Sequence, residues 1–77
     1  MNAGWVELGQ VIRRYRVAAG LSQEQLAERS GLHATYLSQI ETGKRNLSVQ
    51  VLRRVAAGLG VPAAELVAAA ESAEPIT

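Results

Sequence analysis

The chain has 77 residues, 48% of them hydrophobic and 19% charged, with no cysteine, one histidine and a formal net charge of +1. That length suits one small domain whose core supplies only about 3–5 kcal/mol, and neither a disulfide nor a Cys/His zinc site is there to reinforce it. All seven acids are glutamate, so calcium loops and aspartate pairs are excluded as well; no enzyme activity, metal, cofactor or small-molecule ligand is expected, and self-association is the expected source of extra stability.

Glycine and proline divide the sequence into five helical segments, and no stretch alternates with period two for long enough to make a strand, so an all-α fold is predicted. In the first segment Trp5, Leu8, Val11, Ile12, Tyr15 and Ala19 share a face, and Gly20 stands where a left-handed cap belongs. The second opens with Ser22 and Gln25 at capping-box spacing, flanked by Leu21 and Leu26, and stops at Gly31.

The third, over 34–42, ends at Gly43; Leu37 and Ile40 face inward, and Thr35, Ser38 and Gln39 point out together. Ser48 caps the fourth, whose stripe is Leu52, Val55, Ala56 and Leu59 before Gly60. The fifth begins at Pro62 and carries Glu65, Leu66, Val67 and Ala70; residues 71–77 hold little to bury and are expected to fray. The predicted core is Leu8, Ile12, Tyr15, Leu26, Ala27, Leu37, Ile40, Leu52, Val55, Ala56 and Leu59.

Residues 23–42 carry the functional signal. Two short helices joined by Ser30, Gly31, Leu32 and His33 must cross steeply, and the crossing needs a small residue, which Ala27 supplies. Gly31 four residues later permits a tight turn, and Leu37 and Ile40 follow on the crossing side, a helix-turn-helix spacing. Charge is unevenly placed: residues 1–60 hold eight Lys/Arg and four Glu, whereas 61–77 hold three Glu and no base. The basic body is thus the part suited to an anion. No apolar run approaches membrane-spanning length and the start lacks a basic signal-peptide region, so a soluble, intracellular protein is expected.

From Leu8 to Leu66 the sequence resembles the XRE group of Cro and lambda-repressor-like DNA-binding domains, through the blocks AGLSQEQLAERSGL, YLSQIETGKRN and VLRRVAAGLGV. TYLSQIE followed by GKRNLSV is most similar to the controller proteins of bacterial restriction-modification systems. The resemblance implies a five-helix domain over 1–77, a cytoplasmic protein of bacterial or phage origin, and a regulator of transcription that binds double-stranded DNA. The helix from Ala34 would lie in the major groove and the helix from Gln23 across the backbone. It also implies an ion pair between Arg16 and Glu41, which stand at the margins of the inward faces of the first and third helices.

Docking the third helix by its N-terminal end assigns base contacts to Ala34, Thr35, Ser38 and Gln39, with Gln39 suited to adenine. Phosphate contacts are expected from Gln23, Tyr36, Lys44, Arg45 and Asn46. Controller proteins often carry a basic residue where this chain has Ala34, so an arginine-to-guanine contact there is lost; His33 and Leu47 also replace residues common in the family. A homodimer through Leu66, Val67 and Ala70 is expected, which implies a pseudo-palindromic operator. The alternatives are an antitoxin that represses its own operon and a helical adaptor that binds protein only, the latter disfavoured by the polar face of the third helix.

Overall fold

The computed structural model describes residues 4–72, and among these the secondary structure is entirely helical. The helices are α1 (Gly4–Ala18), α2 (Gln23–Ser30), α3 (Ala34–Glu41), α4 (Val49–Leu59) and α5 (Ala63–Ser72). Local chemistry sets their ends. Ser22 Oγ accepts the Gln25 amide at 3.0 Å while the Ser22 amide donates to Gln25 Oε1 at 2.8 Å, which closes the capping box at the start of α2. Ser48 caps α4 by accepting the Val51 amide at 3.1 Å.

On either side of α3 the chain reverses through a glycine in the left-handed region, Gly31 at φ +70° and Gly43 at φ +76°. The next amide then reaches back to a carbonyl in the last turn of the preceding helix: Leu32 donates to Ala27 O and Lys44 to Gln39 O, each at 2.9 Å. His33 precedes α3 without a side-chain capping bond. Helix α5 starts one residue later than expected, at Ala63, because Pro62 serves as the lead-in whose carbonyl accepts the Glu65 amide.

Helix α2 packs on α3 and α4, and α1 packs on α3 and α5. The buried core comprises Val11, Ile12, Leu26, Ala27, Leu37, Ile40, Leu52, Val55, Ala56, Leu66 and Ala70. Leu8, Tyr15 and Leu59, expected inside, are only half-buried. Tyr15 stays at the margin because its hydroxyl donates to Glu65 Oε2 at 2.8 Å, and Leu59 closes α4 where the chain turns out. Val11 is fully enclosed because α1 meets neighbours on both sides.

Two helical glycines mark close helix approaches. A Cβ on Gly9 would fall on the Ile40 carbonyl, and one on Gly58 would come within 2.6 Å of Ser30 Oγ. Ala27 is buried, and α1 and α3 make a close backbone approach at Gly9.

The dimer expectation needs correction at two residues. Leu66 and Ala70 are buried in the chain's own core, because α5 lies against α1 and α4 and its i, i+4 stripe is used there. Only Val67 of the three retains partial exposure.

Candidate nucleic-acid interface

The site is built upward from a buried carboxylate. Glu41, at the last turn of α3, has a side chain only 1% exposed, and both its oxygens are held by Arg16 of α1, through Nε at 2.7 Å and Nη2 at 3.0 Å. This fork-to-fork geometry suits guanidinium and carboxylate. Arg16 Nη1 also donates to Leu21 O at 2.9 Å, just before α2. Its hydrogen bond to Glu41 lifts the guanidinium pKa above its usual value, against a smaller opposing effect of burial.

Gln23, in the first turn of α2, donates to Glu41 Oε1 at 3.0 Å. One carboxylate therefore ties α1, α2 and α3 together, and α3 is fixed at its C-terminal end by charge as well as by Leu37 and Ile40.

On the opposite side α3 carries Thr35, which is exposed, and Ser38 and Gln39, which are half-exposed. Ala34 is half-buried and packs against the core. At the far end Thr42 Oγ1 donates to Ser38 O at 2.9 Å, which finishes the helix without covering its polar face. Lys44, Arg45 and Asn46 follow in an exposed loop. The larger exposed hydrophobic residues, Trp5, Val17 and Val49, all lie on other elements.

Two of the residues assigned to phosphate are placed differently from the expectation. The Gln23 amide is drawn inward to Glu41 because that buried carboxylate has oxygen lone pairs that Arg16 alone does not fill. Arg45 bends back over α3, with its guanidinium 4.9 Å from the centre of the Tyr36 ring and Nη1 donating to Gln39 Oε1 at 3.0 Å. Thr35, Ser38, Gln39, Tyr36 and Arg45 thus form one cluster, to which Lys44 and Asn46 are adjacent in the chain. The sequence reading did not identify Gly9, which lets α3 sit close to α1, nor Gly58. Both are glycines inside helical patterns, the local sign of a close backbone approach.

A helix-turn-helix family model matches residues 12–66. The control protein C.MunI of Mycoplasma sp is 40% identical over 67 residues, which cover 86% of this chain and 90% of that protein. An uncharacterized HTH-type transcriptional regulator of Mycobacterium tuberculosis is 46% identical over 67 residues, 87% of this chain, but this chain spans only 48% of its length. Among solved structures, the restriction-modification controller protein C.AhdI from Aeromonas hydrophila superposes with a TM-score of 0.80 at 42% identity, covering 84% of this chain and 98% of that one. With α2 and α3 at the centre of the matched segment, the chain belongs to the helix-turn-helix family and is similar within it to restriction-modification control proteins.

Proposed function

We propose that this chain is a sequence-specific DNA-binding regulator of transcription, of the restriction-modification controller type, that works as a homodimer in the cytoplasm without enzymatic activity. The observation that carries this is the outward face of α3. Thr35, Ser38 and Gln39 form a polar surface on a helix anchored from behind by Arg16 and Glu41, with a basic loop at its end. A protein-docking groove would instead need an apolar cluster at this place.

In the bound state α3 enters the major groove. Gln39 reads adenine through its carboxamide, and Thr35 packs its methyl on thymine. Ala34 adds at most a methyl contact and Ser38 a hydroxyl. Lys44, Asn46 and the Tyr36 hydroxyl hold phosphates, as do the backbone amides at the start of α2, where the helix dipole favours an anion. With few long side chains on the reading face, the shape and bending of the DNA carry part of the specificity.

The dimer uses the part of α5 that the core leaves over, a face shared by Ala64, Val67 and Ala68, of which the two alanines are exposed. Small residues there permit close approach of a second copy. Two-fold symmetry then sets the recognition helices about 34 Å apart, one turn of DNA. Selection of bound sequences from a random DNA pool tests the proposal. It predicts enrichment of a pseudo-palindrome with half-sites about ten base pairs apart, and a pool that shows no enrichment at any salt concentration would reject it.

A further inference from the structure

We propose that Arg45 is a positioning residue for base recognition, which sets the orientation of the Gln39 carboxamide, rather than a simple phosphate contact. This rests on the assignment of α3 as the reading helix. Arg45 is held on two sides, by its place over the Tyr36 ring at 4.9 Å and by the bond from Nη1 to Gln39 Oε1 at 3.0 Å. The loop that delivers it is clipped to the same residue, since the Lys44 amide donates to Gln39 O at 2.9 Å and Thr42 Oγ1 approaches that oxygen at 3.3 Å. Gln39 therefore meets the loop through both its backbone and its side chain.

The chemistry of the pair makes this contact directional. A guanidinium has donors only, whereas a carboxamide has a donor end and an acceptor end of nearly equal shape. Arg45 accepts only one of the two ways round, with Oε1 toward the loop. The Nε2 amine is then the end left for a base, together with the second lone pair of Oε1. That set of groups matches adenine, whose N7 accepts and whose N6 amine donates. Without Arg45 the amide turns freely and can present either end, so it still contacts a base but discriminates poorly. Tyr36 acts one step further back, as the platform that keeps Arg45 over the helix instead of extended into solvent.

Losing Arg45 has two separable effects. One is loss of a positive charge near the DNA, which weakens binding to every sequence. The other is loss of preference at the single base pair that Gln39 reads. Tyr36→Phe keeps the ring and therefore keeps that preference, even though any phosphate bond from the hydroxyl is lost. Tyr36→Leu removes the platform and lowers the preference while leaving the charge in place.

The test measures affinity of the wild type, Gln39→Ala, Arg45→Ala, the double variant and the two Tyr36 variants for the selected operator and for each single-base-pair change within one half-site. The position read by Gln39 is the one whose preference disappears in Gln39→Ala. There we expect a wild-type preference of about tenfold to fall by most of its size in Arg45→Ala, with no further fall in the double variant. Tyr36→Phe should stay at the wild-type value and Tyr36→Leu should fall with Arg45→Ala. A wild-type preference at that position in Arg45→Ala, with only a uniform drop across all sequences, would overturn the positioning role while leaving α3 as the reader. If Gln39→Ala itself weakens all sequences equally, the base-reading assignment fails and the positioning role falls with it. The side-chain amide resonances of Gln39 in the free protein give an independent check: they should shift in Arg45→Ala and Tyr36→Leu but hold in Tyr36→Phe, and unmoved resonances in Arg45→Ala would contradict the contact.

Discussion

Arg16 and Glu41 meet in a two-point ion pair between α1 and α3, with Nε and Nη2 of one on the two carboxylate oxygens of the other. Their side chains are 11% and 1% exposed, so water does little to screen the pair. Breaking it from one side leaves a buried charge poorly solvated. Arg16→Ala is expected to cost about 3–5 kcal/mol in urea unfolding. A double-mutant cycle with Glu41→Ala should return a large coupling, and zero coupling would contradict the role given to the pair.

Gly9 sets how closely α1 and α3 approach. Alanine is better than glycine in a helix interior by about 1 kcal/mol, so propensity alone predicts that Gly9→Ala stabilises. Its methyl would instead land on the Ile40 carbonyl, a backbone atom with nowhere to go. Overpacking of this kind costs about 1–3 kcal/mol, and a lower melting temperature is expected. A variant more stable than the wild type would show that the helices can separate there without loss.

The link between α1 and α5 is predicted to respond to alkali. The hydrogen bond from Tyr15 to Glu65, then burial, then the Glu65 charge raise the Tyr15 pKa above its ordinary value of 10.0, with Arg14 opposing. Folding thus favours the protonated phenol. Its contribution is fully present below the ordinary value and is lost as pH rises through the raised folded value. Tyr15→Phe should be less stable than the wild type at neutral pH, and the gap should close above about pH 10. Denaturation of both proteins across that range checks the sign; a constant gap would refute it.

Adjacent residues on α5 are expected to behave oppositely. Val67→Arg disturbs the proposed dimer face and should give folded monomers by sedimentation. Leu66→Arg puts a charge into the core and should unfold the domain. If Val67→Arg remains dimeric at the wild-type dissociation constant, the two copies meet elsewhere.

Much of the frame was legible because it is local. Ser22 and Gln25 lie three residues apart, and a capping box at that spacing needs nothing from the rest of the chain. Gly31 and Gly43 likewise announce left-handed turns on either side of α3. The partner of Gly9 was not legible, since a mid-helix glycine says that something comes close but not which helix. Leu66 and Ala70 show the same limit: their spacing defines a face, but not whether α1 and α4 or a second copy covers it. Arg16 and Glu41 are 25 positions apart, so no spacing connects them, and only the family resemblance suggested that they meet. Arg45 and Gln23 were assigned to phosphate by charge, polarity and place in the chain. Their inward bonds depend on a loop conformation and on a buried carboxylate that the linear pattern does not display.

The most direct test of α3 as the reader of DNA sequence is to replace Thr35, Ser38 and Gln39 together by alanine. None of the three is buried, so the domain should fold as before. Affinity for the selected operator and for scrambled DNA would be measured at the same salt concentration. Operator binding is expected to fall to near the level of scrambled DNA, with scrambled binding almost unchanged. A triple variant that still separates operator from scrambled DNA as well as the wild type does would contradict the account.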